Sequence, residues 1–133
     1  MLITGIVKDG ELINLNENVD LKEPTYGDSL EREIHNILSN LGLRQSNKGY
    51  VYLLDGIKKT IEDREYVDYI TKVLYPYIAK KYKTTSSRVE RAMRHAINTM
   101  PESDFRNKVF NYNFDHYTNK EFIVLIANYI QYN

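Results

Sequence analysis

The chain has 133 residues, of which 42% are hydrophobic, and this is enough for one domain with its own core. It contains no cysteine, which excludes disulfides and thiolate metal sites and fits a cytoplasmic protein. No apolar run reaches the roughly 18 residues of a membrane span, and the N-terminus lacks the pattern of a signal peptide, so we expect no membrane association.

The charges are unevenly distributed, although the formal net charge is zero. Residues 1–30 carry two basic and six acidic side chains, whereas residues 71–100 carry seven basic side chains and one acidic. Local charge, rather than total charge, sets the attraction of a protein for a phosphate backbone. Residues 71–100 are therefore the part of the chain best suited to bind a polyanion.

The N-terminal segment is predicted to form a β-hairpin over residues 2–16, because Asp9-Gly10 is a two-residue turn signal between ITGIV and ELINL. An isolated hairpin is marginally stable, so it must pack on the remainder of the chain or on a second copy. Residues 17–27 have little apolar content and predict a linker. The expected organisation is thus a hairpin and linker segment over residues 1–27 and a helical domain over residues 28–133.

The first helices of this domain are predicted from apolar residues that recur at helical period. Asp28 and Glu31 have the spacing of a capping box at the start of the first helix, and Gly42 ends it. A second helix is expected over residues 48–63 and a third over residues 66–74. The apolar side of the second helix is predicted to consist of Val51, Leu54, Ile57 and Ile61.

The later helices are marked by proline residues and capping boxes. Pro76 suits the first turn of a helix over residues 76–82, and Pro101 ends a following helix over residues 86–99. A short helix is expected over residues 103–110, and Thr118 and Glu121 form a capping box before the last helix. The predicted fold class is all-α, with about six helices and a small N-terminal β-hairpin appendage.

Residues 78–97, IAKKYKTTSSRVERAMRHAI, have the layout of a helix-turn-helix DNA reader. Ala79 is small where the two helices should cross. Lys83 occupies a turn position that is often glycine, and Thr85, Ser86 or Ser87 can cap the second helix. The angle between the helices is predicted to be filled by Ile78, Tyr82, Val89, Ala92 and Met93.

The second helix of this motif carries its polar side chains on one face, because Arg91, Arg94 and His95 lie three and four positions apart. Arginine can donate two hydrogen bonds to guanine, and glutamate can accept one from cytosine. The candidate base-reading residues are Ser87, Glu90, Arg91 and Arg94. The residues placed to hold phosphates are Lys80, Lys81, Lys83 and Thr85. The alternative is a solvated charged helix in which Glu90 pairs with Arg94.

Other chemistry finds little support in the sequence. His35, His95 and His116 are widely separated and form no metal-binding motif, and no nucleotide-binding loop or hydrolase signature occurs. We therefore expect no enzyme activity, no metal and no cofactor. The many tyrosines are compatible with stacking on the bases of single-stranded nucleic acid. Helical spacing instead favours packing in the core and at groove edges for Tyr66, Tyr69, Tyr75, Tyr77 and Tyr82.

The segment ITKVLYPYIAKKYKTTSSRVERAMRHAI resembles the DNA-binding C-terminal domain of the sporulation initiation response regulator family of spore-forming Firmicutes. IHNIL and KGYVYLLDGI resemble the first two helices of that domain, and NKEFIVLIANYI resembles its last. The likeness is dense through residues 70–97 and sparse after Met100. It implies an all-helical domain that binds short DNA boxes, often as a head-to-tail pair on tandem boxes, and that contacts the sigma subunit of RNA polymerase.

The resemblance also implies roles for individual residues. A glutamate and two arginines of the family's recognition helix contact bases, which assigns base contacts to Glu90, Arg91 and Arg94. The expected backbone or flanking contacts are Lys80, Lys81, Lys83, Thr85, Ser86, Ser87, Arg88 and His95. The chain departs from the family in three respects: we expect no receiver domain in it, an acidic, hairpin-like segment stands in place of that domain, and the residues after Met100 differ.

The sequence thus predicts a sequence-specific regulator that binds double-stranded DNA, with residues 86–99 in the major groove. It leaves open whether the protein activates, represses or competes with a full-length regulator, and whether the hairpin supplies a homodimer contact. The alternative function is a protein-interaction module of the same fold that binds the full-length regulator or RNA polymerase and not DNA.

Overall fold

The computed structural model describes residues 29–111 and 117–132, and every regular element in these ranges is helical. The predicted all-α fold is therefore confirmed, whereas the predicted hairpin, linker and domain boundary lie outside the described residues. The elements, in order, are α1 Ser29–Asn40, α2 Lys48–Glu62, α3 Glu65–Asp68, a π-helical turn Ile70–Leu74, α4 Tyr75–Lys81, α5 Ser86–Asn98, α6 Asp104–Val109 and α7 Asn119–Tyr132.

The helix ends follow the capping signals of the sequence. Gly42 has a φ of 95°, a left-handed conformation that glycine adopts without strain, and it follows the last turn of α1. At α7 the capping box closes in both directions: Thr118 N donates to Glu121 Oε1 at 2.9 Å, and Glu121 N donates to Thr118 Oγ1 at 3.1 Å. The predicted end of α1 and the predicted start of α7 are confirmed, whereas the predicted capping residue of α1, Asp28, lies outside the described residues.

The centre of the fold is α2, which packs against both α5 and α7. The predicted apolar side of this helix is confirmed at Leu54 and Ile57, which are buried. It is wrong at Val51 and Ile61, which are only half-buried, and other faces of the helix are buried as well. The additional buried side chains include those of Tyr50, Tyr52, Leu53 and Asp55. A helix surrounded on most sides needs apolar residues on most sides. This all-round burial was not predicted, because the buried set includes tyrosines and an aspartate as well as aliphatic residues.

The third predicted helix, over residues 66–74, is interrupted in the structure. Tyr69 has φ −113° and ψ 54°, and the chain then forms the π-helical turn Ile70–Leu74. Pro76 follows this turn in the first turn of α4. A proline ring collides with the carbonyl group four residues before it and cannot donate a hydrogen bond. The wider π turn ahead of Pro76 relieves this conflict, which explains why one helix is replaced by two short elements.

Residues Glu33–Asn133 form one compact unit, and the preceding unit, Met1–Arg32, lies almost wholly outside the described residues. The largest fully buried side chains of the described part come from α1, α2, α4, α5 and α7, as well as from the segments that join them. Among the described helices, none combines the length and apolar content needed to cross a membrane.

Candidate nucleic-acid interface

The turn between α4 and α5 has the geometry that the sequence motif requires. Lys83 has a φ of 56°, so a lysine adopts the left-handed conformation at the position where glycine is common. Thr84 N donates to Ala79 O at 2.9 Å, and Lys83 N donates to Lys80 O at 3.4 Å. These two hydrogen bonds form a Schellman motif, which satisfies carbonyl groups at the end of α4 and reverses the chain toward α5.

The first turn of α5 is capped by Thr85, one of the three candidates that the sequence offered. Its backbone is extended, with φ −112° and ψ 155°, and its Oγ1 accepts from Arg88 N at 3.2 Å. Because Thr85 takes the capping position, Ser87 is already a helical residue and is exposed. The helix therefore begins at Ser86 and ends at Asn98, within one residue of the predicted range.

The inner face of α5 packs as predicted at Val89 and Met93, whereas Ala92 is only half-buried. Val89 and Met93 are fully buried, and Ala79, at the crossing of α4 and α5, is 6% exposed. The prediction for Tyr82 was wrong, because its side chain lies at the surface, with 36% exposure. Tyr82 instead lies against Tyr52 of α2, with ring centroids 5.4 Å apart and the ring planes tilted by 54°. A residue at the end of α4 has passed the crossing point and reaches the rim of α2.

A glycine at the start of α2 sets how closely that helix approaches α5. A Cβ atom added at Gly49 would lie 2.3 Å from Ala92 O and 2.8 Å from Ala96 Cβ. Both obstacles belong to α5, and the nearer one is backbone that cannot rotate away. The first turn of α2 is therefore in direct contact with the middle of α5, which brings its neighbouring side chains beside the outer face of that helix.

The outer face of α5 presents the arginines that the sequence analysis selected. At 100° per residue, Arg91 points almost directly away from the buried face, with Arg94 on the α7 side and Arg88 and His95 on the α2 side. All four side chains are exposed. Within the ranges 29–111 and 117–132, the side chains of Arg88 and Arg91 have no hydrogen bond or ion pair. No described residue therefore engages these two guanidinium groups.

Glu90 and Arg94 form an ion pair on one flank of the face. Arg94 Nη1 lies 3.5 Å from Glu90 Oε2, and their side chains are 55% and 36% exposed. This is the pair that the solvated-helix alternative anticipated. Exposed pairs at this spacing contribute only about 0.3–0.5 kcal/mol, so a base edge with matching donors and acceptors can replace it. The pair lines a groove with Tyr75, Asn119 and Lys120.

A buried asparagine connects α4, α5 and α7 behind this ion pair. Asn119 is 6% exposed, and its Nδ2 donates to Tyr75 Oη and to Glu90 O, both at 3.0 Å. Burial raises the pKa of the Tyr75 hydroxyl above its ordinary value of 10.0, while the hydrogen bond from Asn119 opposes that shift. The neutral hydroxyl and the amide thus hold the backbone of α5 at Glu90 against the first turn of α7.

The lysines of α4 differ in their surroundings. Lys81 Nζ lies 3.1 Å from Oδ2 of Asp55, whose side chain is 9% exposed, and it also lies 5.5 Å from the ring centroid of Tyr82. Tyr82 Oη donates a hydrogen bond to the same carboxylate oxygen. Lys80 is exposed and has no ion pair in the described part of the chain. Lys81 therefore supports the packing of α4 on α2, whereas Lys80 is placed only toward solvent.

The sequence analysis did not identify three residues that organise the site. Asp55 interrupts the apolar run VYLLDGI, and a carboxylate at that position indicates a buried charge with a partner. Gly49 near a helix start, where it lowers helix propensity, was a usable sign of close packing. Asn119 follows a capping threonine and carries no signal in the sequence, because its partners lie on α4 and α5.

Comparison with protein families agrees with this geometry. The family described as Sporulation initiation factor Spo0A C terminal matches residues 34–130, which covers all of α2 to α6 and most of α1 and α7. The match includes the turn at Lys83, the exposed face of α5 and the buried partners behind it. The chain therefore belongs to the Spo0A C-terminal family, the DNA-binding effector domain of a sporulation regulator.

Proposed function

We propose that this domain binds double-stranded DNA in a sequence-specific manner, with α5 in the major groove. The observation that carries the proposal is the outer face of α5, where Arg91 and Arg88 are exposed and unpaired within the described residues while the opposite face is buried. A helix held on one side and bearing guanidinium groups on the other matches the width and the acceptor pattern of the major groove.

The base contacts are assigned to Glu90, Arg91 and Arg94. Arg91 lies at the apex of the exposed face and can donate two hydrogen bonds to a guanine. Glu90 and Arg94 offer an acceptor and a donor side by side on the α7 flank. In this assignment the ion pair orients both side chains before DNA binds. When DNA binds, the ion pair is exchanged for contacts with the base edges.

The backbone contacts are assigned to side chains around α5 that fix its position without reading sequence. The end of α4 contributes Lys80, the turn contributes Lys83 and Thr85, and the start of α5 contributes Ser87. The α2 flank of α5 contributes Arg88 and His95. Lys81 belongs to this set as well, with its ammonium group divided between Asp55 and solvent. Ser86 is the first residue of α5 and contributes a backbone N–H at the positive end of the helix.

The wider role is proposed from the family resemblance. The proposal is that the domain occupies promoter boxes, as a homodimer on tandem sites, and contacts the sigma subunit of RNA polymerase. A chain with this domain can therefore activate, repress or compete with another regulator at the same boxes. Selection of bound duplexes from a random pool, followed by measurement of the molar mass on one and two boxes, tests both the sequence preference and the pairing.

A second candidate is a protein-interaction module that has kept the fold and lost DNA binding. The zero net charge and the acidic residues 1–30 favour it. Salt dependence separates the two. A DNA-binding domain loses affinity for duplexes steeply as salt rises, whereas a module of the second kind binds no duplex at any salt concentration.

The roles of the arginines are tested by comparing Arg91→Ala with Lys80→Ala. Loss of Arg91 is expected to cost about 1–3 kcal/mol on the selected box and to relax the preference at one base pair. Loss of Lys80 is expected to weaken selected and random duplexes by the same factor. Lys80 is the better control than Lys81, because Lys81 also supports the fold through Asp55. Equal losses on both duplexes for Arg91→Ala would remove the base-reading assignment.

A further inference from the structure

A groove on the α2 flank of the exposed face collects three basic side chains from three separate elements. It has a volume of about 330 Å³ and is lined by Lys48 at the start of α2, by Lys83 in the turn and by Arg88 in the first turn of α5. The remaining lining residues are Val51, Tyr52, Tyr82 and Thr84. None of these described lining residues is acidic, so the charge of the groove is not compensated from within.

The side chains of the three basic residues are free to bind an anion. Lys48, Lys83 and Arg88 are all exposed, and within the described ranges none of their side chains forms an ion pair. The groove on the opposite flank of α5 differs, because Glu90 faces Arg94 and Lys120 there. Among the residues that the structure describes, the groove on the α2 side therefore carries the larger positive charge, with three cations around one concavity.

The position of Lys48 is imposed by the packing of its neighbour. Gly49 touches the backbone of Ala92, so the first residue of α2 cannot move away from α5 without separating the two helices. A helix is about 10 Å across and the major groove is about 12 Å wide, so side chains on the flanks of an inserted helix meet the phosphates at the edge of the groove. Lys48 lies on such a flank, together with Arg88.

From this geometry we infer that Lys48, Lys83 and Arg88 form a binding site for a backbone phosphate of the DNA strand that passes the α2 side of α5. The inference rests on the proposed function and adds to it a contact from outside the helix-turn-helix. Lys48 extends the protein's contact with the duplex to α2 and fixes the rotation of α5 about its own axis. Tyr52 and Tyr82 form the wall of the site, and Thr84 contributes a hydroxyl group.

The test compares Lys48→Ala, Lys48→Arg and Lys108→Ala on the selected box and on a random-sequence duplex over a series of salt concentrations. Lys108 is an exposed lysine on α6 that lines neither groove beside α5. For Lys48→Ala the slope of log K against log salt is expected to fall in magnitude by about 0.9, with the same fold-loss on both duplexes. Lys48→Arg is expected to keep the wild-type slope, and Lys108→Ala is expected to change nothing.

The outcomes that overturn the inference are distinct from those that overturn the proposed function. A wild-type slope for Lys48→Ala, measured while the wild-type protein binds duplexes normally, removes the phosphate site and leaves the role of α5 intact. The phosphate site is likewise refuted if Lys108→Ala lowers the slope as much as Lys48→Ala does. If the wild-type protein binds no duplex at the lowest salt, the proposed function itself fails. Thermal unfolding of each variant confirms that the comparison is made between folded proteins.

Discussion

Replacing Gly49 by alanine tests whether the close contact between α2 and α5 holds the exposed helix in place. The new Cβ would lie 2.3 Å from Ala92 O, whereas carbon and oxygen atoms in contact are separated by about 3.3 Å or more. The two helices must therefore separate by roughly 1 Å at this point. Because the obstacle is backbone, no change of side-chain conformation can relieve the overlap.

The expected effect combines two opposing terms. Overpacking of a well-packed contact costs about 1–3 kcal/mol, and alanine in place of glycine inside a helix gains about 0.5–1 kcal/mol. At Gly49 both the nearest atom and its carbonyl carbon belong to the backbone of α5, so the cost is expected near the upper end of its range. We therefore expect the free energy of unfolding of Gly49→Ala to fall by about 2–2.5 kcal/mol.

Gly56→Ala is the matched control, because it makes the same change on the same helix. A Cβ there would lie 3.4 Å from Ile123 Cδ1 and 3.5 Å from Leu74 Cδ2 and Met93 Cε, which are the flexible ends of side chains. Gly56→Ala is therefore expected to be neutral or to stabilise by up to about 1 kcal/mol. Urea unfolding followed by far-ultraviolet circular dichroism measures both variants.

The same pair of variants links packing to function. A shift of α5 relative to α2 changes the distance between Lys48 and Arg88, so Gly49→Ala is expected to weaken DNA binding even at temperatures where the variant is fully folded. Gly56→Ala is expected to bind as the wild type does. If Gly49→Ala is as stable as Gly56→Ala, the two helices do not touch as described, and the explanation for the position of Lys48 is lost.

Two further predictions concern stability alone. Lys81→Ala is expected to lower the free energy of unfolding by about 1 kcal/mol, because it leaves the buried carboxylate of Asp55 without its cation. Chemical denaturation measures this loss, and Lys80→Ala should match the wild type. Equal losses for both lysines would contradict the role of Lys81. The raised pKa of Tyr75 predicts that stability is independent of this group below pH 10.0 and falls as pH rises further, since the unfolded chain then loses the proton first. Tyr75→Phe is expected to flatten that decline in alkaline unfolding experiments, and an unchanged decline would show that Tyr75 does not cause it.

The local features of this protein were predictable because each depends on residues within a turn or two of one another. The left-handed Gly42, the closed capping box at Thr118 and Glu121 and the start of α5 all follow from side chains that bond to nearby backbone groups. The exposure of Arg91 follows from helical period alone, once Val89 and Met93 are recognised as buried. These features define the fold class and the candidate DNA-binding face.

The errors arose where tertiary contacts override a local pattern. The apolar stripe assigned to α2 was too narrow, since a central helix is covered on most of its sides and its partners are distant in the chain. The helix expected over residues 66–74 is broken because Pro76, which lies outside that range, changes the hydrogen bonding of the preceding turn. Tyr82 was placed in the core by its spacing, but it reaches past the crossing of α4 and α5 to Asp55.

The amino-acid sequence by itself determined that the protein is helical, where most of its helices begin and end, and which residues of α5 point away from the core. Only the tertiary structure decided that Asp55 binds Lys81, that Asn119 holds Glu90, and that Gly49 brings Lys48 beside Arg88. The physical reason is that periodicity and capping act between neighbours in the chain. The surroundings of a charge depend instead on which helices pack against one another.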